Sequence, residues 1–357
     1  MIKVCHMTSA HGQEDIRIFL KECVSLAAAG YDTYQVSRGR SYEKNGVHLV
    51  GVGEISGNRL IRMLKGAQSV YRAAREIDAD IYHFHDPELL PYGLKLKRAG
   101  KKVIFDSHED VPAQILDKTW IPAPLRRIVS ALYARYESYV VRRLDALVVV
   151  VPTMIEEFQG RVKRVVQINN YPRLDDIQFH TKPFSEREPI ICYAGGVNKL
   201  RGEDVMIEAM QDVDGALVIA GDRRDTEPGA RWLGKLDRDG VNALYGSARA
   251  GIVVYQPAAN SINSQPNKIF EFMAAGLPFV ASNFPLWRRI IEGADCGICV
   301  DPTNPLAVRE ACQYLLSHPE DGQRMGRNGK NAVDKQYNWN VEAQKLISLY
   351  ESIAGEL

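Results

Sequence analysis

From its second residue the chain alternates short apolar runs with longer stretches in which apolar residues recur at helical spacing; the alternation breaks once, near the middle, and begins again. This is the pattern of parallel strands joined by crossover helices. A strand covered on both faces reads as an unbroken apolar run, whereas each connecting helix buries only one stripe. The first series places strands at 2–6, 32–36, 48–52, 81–85, 103–106 and 147–151, with helices at 15–29, 59–77, 88–98 and 125–143. Gly30 and Gly100 follow two of these helices, where a left-handed residue closes a helix. From 169 to 189, NNYPRLDDIQFHTKPFSEREP, prolines and charges replace any repeated face, which reads as a linker. The second series places strands at 190–194, 216–220, 251–255, 278–281 and 297–300. The sequence therefore predicts an α/β chain of two successive doubly wound domains, 1–170 and 190–335, with a linker at 171–189.

A length of 357 residues suits two cores rather than one. The 45 basic and 44 acidic residues leave a formal charge of +1, which removes the global field a non-specific nucleic-acid binder uses, so no nucleic-acid partner is expected. The six cysteines lie in apolar stretches without regular spacing, as in reduced cytosolic proteins. Cys296 and Cys299 form a lone CxxC with no second ligand pair, which favours two small residues beside a strand over zinc. The start, MIKVCHMTSA, has no h-region, and no run of about 18 apolar residues offers a membrane span, so a cytoplasmic protein is expected.

In doubly wound sheets ligands bind beyond the carboxyl ends of the strands, so polar residues there carry the functional signal. His11 and Gly12 lie in the turn after the first strand, where a glycine lets backbone N–H groups approach a phosphate; alone it is equally an ordinary turn. No GxGxxG follows, which counts against a dinucleotide-dependent dehydrogenase. His83, His85 and Asp86 end the fourth strand, and His108, Glu109 and Asp110 follow the fifth. Metal ligation is one reading of this group, ranked below substrate contact, and hydrogen bonding to neighbours is the bland one. In the second domain YAGGVNKLRG supplies Gly195, Gly196, Lys199 and Arg201 before a helix, a candidate diphosphate cradle or a solvated loop. Further on, ANSINSQPNKIFEFMAAG carries Asn263, Ser264 and Asn267 before Lys268 and Glu271, which share one helix face and suit phosphates and ribose hydroxyls, or merely pair with each other.

NKIFEFMAAGLPFVAS, YAGGVNKLRG, HFHDPELL and FDSHEDVP, in this order and spacing, resemble the retaining glycosyltransferases of family 4, such as those of bacterial surface-polysaccharide assembly, and the likeness covers essentially the whole chain. It implies the GT-B fold: two Rossmann-like domains facing each other across a cleft, with a closing C-terminal helix at 336–357 returning to the first domain. It also implies hexosyl transfer from a nucleotide-diphosphate sugar to a saccharide or lipid-linked saccharide, without metal or cofactor. By the same resemblance Gly12 approaches the donor diphosphate and His108 lies beside the transferred sugar. The family's diphosphate-binding Arg and Lys correspond to Gly196 and Arg201, with Lys268 as the candidate to compensate. Of the family's two glutamates, the ribose ligand corresponds to Glu271, and the one that contacts sugar hydroxyls corresponds to Asn263, which carries no charge. The expected catalytic residues are thus His108, Arg201 and Lys268. Gly12, Gly195, Gly196, Asn263, Ser264, Asn267 and Glu271 are expected on the donor, and His11, His85, Asp86 and Glu109 on the acceptor. Residues 118–143 mix arginines with Trp120, Tyr133, Tyr136 and Tyr139, and read equally as a peripheral contact with the inner membrane face or as a helix packed on the sheet. A GT-B nucleotide-sugar epimerase and a silent sugar-nucleotide-binding protein are the alternatives.

Overall fold

The computed structural model describes residues 1–54, 59–107, 111–118, 121–150, 152–176, 182–222 and 229–357. The chain forms two compact units, Met1–Asn170 with Asn340–Leu357, and Tyr171–Trp339.

The first unit is built on a sheet of β1 (Lys3–Met7), β2 (Asp32–Ser37), β3 (Tyr42–Lys44), β4 (Val47–Gly51), β5 (Ile81–Phe84), β6 (Lys102–Ser107), β7 (Ala146–Val149) and β8 (Val165–Gln167). Its order is β3-β4-β2-β1-β5-β6-β7-β8, parallel throughout except for β3 against β4. The apolar runs of the sequence are the parallel strands, shifted by a residue or two. The short edge strands β3 and β8 escape the sequence pattern, because three-residue segments such as Tyr42–Lys44 carry no apolar run to betray them. The order reverses at β1, which places the turns after β1 and β5 at the topological switch point.

Between β1 and β2 the expected helix is partly π-helical. Asp15 caps Ile16–Cys23 by accepting from the N–H groups of Arg17 and Ile18, and the chain continues as an ordinary helix over Val24–Ala28. The wider turn carries Arg17, Lys21 and Glu22 to the interior, where Arg17 donates to both Asp106 oxygens at 2.9–3.1 Å and Lys21 to Asn170 Oδ1 at 2.6 Å. The C-terminal helix, Trp339–Ala354, is tied to the first unit. Glu342 accepts from the Asn169 N–H at 2.8 Å, and the hydroxyl of buried Tyr350 lies 2.9 Å from His83 and 3.1 Å from His6.

The second unit repeats the plan with β9 (Glu188–Ala194), β10 (Ala216–Ala220), β11 (Arg231–Gly234), β12 (Ala248–Val253), β13 (Phe279–Ser282) and β14 (Gly297–Val300), in the order β11-β10-β9-β12-β13-β14. Here the reversal falls at β9 and β12. Tyr193, Tyr245, Phe270, Phe272, Phe279 and Trp287 fill the core. The segment read as a linker is in part a piece of this unit. Tyr171 packs 4.5 Å from Phe270, and Phe184 is buried, because their aromatic surface outweighs the flexible look of the intervening prolines and charges; 177–181 lie outside the described residues. All six cysteines are free, and burial pushes the Cys296 and Cys299 thiols up to about 12, which keeps them protonated at neutral pH. Among the described residues no helix is long and apolar enough to cross a membrane.

Trp287 links this core to the functional edge: its indole N–H donates to the Ser264 carbonyl at 2.6 Å, and its ring packs on Tyr255 and Phe284. Replacing it with Phe removes that donor and leaves a small void. The expected loss is roughly 1–3 kcal/mol, read by scanning calorimetry as a lower transition for the second unit. An unchanged thermogram would mean that the 263–266 turn holds itself.

Candidate functional site

In the second unit the turn after β9 and the helix after β12 converge. Gly195 leaves the strand with φ +132°, a backbone angle that favours glycine, and a methyl group there would displace the Lys268 ammonium, whose Nζ lies 2.5 Å from its place. The Asn198 side chain then accepts from the Arg201 N–H at 3.0 Å, and Tyr193 donates its hydroxyl to the Gly196 carbonyl at 2.7 Å, which fixes the turn. Arg201 donates to the Tyr255 hydroxyl at 2.8 Å, with its guanidinium 5.2 Å from that ring. Lys268, at the start of the helix Asn267–Ala274, holds Nζ 5.0 Å from the Tyr193 ring. Burial and the positive charge of Arg201 bring the Lys268 ammonium down to about 8, against a smaller opposing pull from Glu271. Lys199 instead points into solvent beside Asp204.

Glu271, one turn beyond Lys268, does not pair with it. Its Oε1 accepts from Arg238 Nη1 at 2.9 Å, and its Oε2 lies 3.5 Å from the Tyr245 hydroxyl. Sequence reasoning misses Arg238: it opens the helix Arg238–Ser247, far from Glu271 in sequence and in no motif. Asn263 and Asn267 are exposed at either end of the turn whose Ser264 carbonyl is held by Trp287. Gly195, Arg201, Lys268 and Glu271 thus gather on one edge of the second unit, with Gly196 exposed beside them.

In the first unit the turn after β1 is shaped by Asp86. One carboxylate oxygen accepts from the Thr8 hydroxyl at 2.8 Å and from the N–H groups of Ser9 and Ala10 at 2.6 and 3.2 Å. His11 stands half-exposed above it, 3.4 Å from both Asp86 and Asp15. Gly12 is exposed; among the described residues no atom lies within 4 Å of the place a Cβ would take, so the protein's own packing does not demand glycine there. His85 and Asp86 correct the acceptor expectation. Both are buried, Asp86 as the clamp of the 8–11 turn and His85 2.9 Å from His6, so neither side chain presents itself to an acceptor. His108 and Glu109 lie outside the described residues.

Comparison with known proteins bears on the family and the fold. Residues 188–318 match the family model described as "Glycosyl transferases group 1", and residues 17–170 match "Glycosyl transferase 4-like domain". The chain belongs to these glycosyltransferases. The enzyme is 25% identical to a phosphatidyl-myo-inositol mannosyltransferase of Mycobacterium leprae over 78% of this chain and 74% of that protein. It is 29% identical to a D-inositol 3-phosphate glycosyltransferase of Xylanimonas cellulosilytica over 45% of this chain and 42% of the relative, less than half of that protein's length. Among solved structures, a sucrose-phosphate synthase from Thermosynechococcus elongatus superposes with TM-score 0.79 at 16% identity over 100% of both chains. Anabaena HepE in complex with UDP and glucose superposes at 0.73 with 11% identity, over 99% of this chain and 100% of that one. These neighbours are GT-B glycosyltransferases, and the two-sheet plan is theirs. By these family matches the enzyme is a glycosyltransferase.

A pH dependence follows for anion binding at Lys268. An anionic diphosphate favours the protonated amine, so affinity is fully present below about 8 and falls as pH rises through it. Calorimetric titration with UDP is expected to show affinity flat near pH 7 and declining above pH 8, with the decline abolished in Lys268→Arg. A profile unchanged by that substitution assigns the dependence elsewhere.

Proposed function

We propose that this glycosyltransferase moves a hexose-type sugar from a nucleotide-diphosphate donor, UDP-linked in the first instance, with retention of configuration and without a metal at the leaving group. The observation that carries the reading is the placement of Lys268 and Arg201 on the same edge as Gly195, near enough for the guanidinium to disfavour the lysine's charge. Such a pair suits the charge that develops when a diphosphate leaves an anomeric carbon. Glu271, steadied by Arg238, serves the donor's ribose hydroxyls. The bond from the anomeric carbon to the phosphate oxygen breaks on the face where the bond to the acceptor oxygen forms. The departing phosphate takes the acceptor's proton, and no enzyme nucleophile is required. The UDP named with the HepE neighbour supports the choice of base.

For the acceptor, the informative surface is the helix Ala123–Val141; Trp120, just before it, lies outside the described residues. Leu125, Ile128, Val129, Leu132, Tyr136 and Tyr139 are all exposed along it, at helical spacings that put them on one side, while Ser130, Glu137, Val140 and Val141 face inward. Arg127, Arg135, Arg142 and Arg143 are exposed on the same segment. The apolar stripe is thus not spent on packing against the sheet, which supports a lipid-linked acceptor approached at an anionic membrane face. The phosphatidyl-inositol acceptor named for the mycobacterial relative is of that chemical kind.

Arg201→Ala and Lys268→Ala are each expected to weaken UDP binding by roughly tenfold to a hundredfold, as loss of one charge-assisted contact implies, with the fold retained by circular dichroism. UDP affinity unchanged in both variants would remove the donor assignment. For the helix stripe, Leu125→Glu combined with Leu132→Glu is expected to abolish flotation with vesicles containing phosphatidylglycerol. Flotation that survives the change would place the membrane contact elsewhere.

A further inference from the structure

We propose that His6, Glu22, His83 and His85 form a buried site for one divalent transition-metal ion, zinc by the character of its donors, that ties together the core of the N-terminal unit. The four side chains come from β1, from the π-helical segment and from the end of β5. One ligand atom from each lies within 4.8 Å of all the others, and all four residues are buried. His83 and His85 share a face because the ladder continues past β5: the His85 N–H donates to the Met7 carbonyl at 3.1 Å, and the two rings stack 4.7 Å apart.

Glu22 Oε2 is nearly equidistant from three imidazoles, 3.8 Å from His6 Nδ1, 3.8 Å from His85 Nε2 and 3.9 Å from His83 Nδ1. Around a tetrahedral zinc with bonds of about 2.0–2.2 Å, donor atoms stand roughly 3.3–3.5 Å apart, so shifts of about half an ångström complete the shell. The 2.9 Å approach of His6 Nδ1 to His85 Nε2 must open by a similar amount, and the 2.9 Å contact of His83 Nδ1 with the Tyr350 hydroxyl gives way to the ion. Three imidazoles and one carboxylate are a donor set that zinc accepts and that magnesium and calcium do not. The outer contacts are also of the kind that orient ligands: the far nitrogen of His6 meets the Tyr350 hydroxyl at 3.1 Å, and that of His85 lies 3.5 Å from Asp106.

Two observations point to a cation rather than a purely hydrogen-bonded cluster. Among the described residues His83 Nε2 has no hydrogen-bond partner, and the only hydrogen bond open to Glu22 is a proton shared with Asp106, although a buried polar atom without a partner is costly. Arg17 Nε lies 3.1 Å from Glu22 Oε1 but donates to Asp106. The fixed charges at the cluster therefore set one guanidinium against the carboxylates of Asp106 and Glu22. A divalent ion at the centre of the cluster supplies the missing positive charge and gives the carboxylate and the imidazoles a common partner. None of the four side chains reaches the surface, so the ion is structural and stands apart from the transfer chemistry.

The test uses the full chain, freed of any affinity tag and dialysed. Metal content by mass spectrometry is expected near one zinc per chain, and the metal-stripped protein titrated with Co2+ is expected to show the visible bands of a four-coordinate cobalt ion. Glu22→Gln and His83→Gln should lose the cobalt spectrum and at least tenfold in zinc affinity while keeping wild-type circular dichroism. His48→Gln, at the exposed cluster with Asp32 and Glu43, should change neither. If either core variant fails to fold, the wild-type stoichiometry and cobalt spectrum decide alone. Wild-type protein with neither zinc nor a cobalt spectrum overturns the proposal, as does undiminished binding in folded Glu22→Gln and His83→Gln.

Discussion

Two like charges held side by side are the constraint around which the second unit is organised. Lys268 and Arg201 repel each other, and burial makes the lysine's charge more costly still. Glu271, held by Arg238, favours the lysine's charge only in part, while Arg201 is supported by Tyr255 and Tyr193. An arrangement that costs stability in the free protein makes sense where an anion repays the cost on binding. The supports serve to hold the geometry: Gly195 clears room for the ammonium, Asn198 closes the turn, and Trp287 anchors the opposite loop.

The architecture is legible in the sequence because it depends on periodicity, which a single chain displays. Parallel strands such as 216–220 and 190–194 fall where the apolar runs place them, since strands covered on both faces are apolar almost throughout. The site edges are legible for a related reason: doubly wound sheets leave their polar strand-to-helix turns at the switch point, and the turn of Gly195 to Arg201 and the helix of Lys268 and Glu271 fall there. Pairing is what periodicity does not carry. Lys268 and Glu271 share a helix face, which predicts a contact, yet Glu271 turns to Arg238, thirty-three positions away. Distance in sequence carries no mark of such a partner.

Burial of charge misleads in the opposite direction. In an amphipathic pattern Arg17, Lys21 and Glu22 belong to the solvent face, and His85 and Asp86, just past a strand, belong to a ligand. A local π turn moves the first three inside, and the turn after β1 commits Asp86 to its own N–H groups. The surface helix shows the reverse. The sequence of 118–143 reads equally as a packed helix or a membrane contact, and the unit buries the side opposite Leu125, Ile128 and Leu132.

These displacements divide the labour between the units. The first buries one group of ionisable side chains, Arg17, Glu22, Asp86, Asp106 and the three histidines, where each must be matched by a partner, a proton or an ion, so its polar interior acts through rigidity and through the shape it imposes on the 8–11 turn. The C-terminal helix belongs to that interior by virtue of Tyr350, whose hydroxyl reaches two of the buried histidines from the far end of the chain. The second unit leaves its charges at an edge, where a ligand can reach them. A change in the buried histidines should therefore be felt first as stability of the N-terminal unit, and a change at Arg201 or Lys268 first as affinity, because burial and Arg201 leave the Lys268 charge disfavoured until an anion stands beside it.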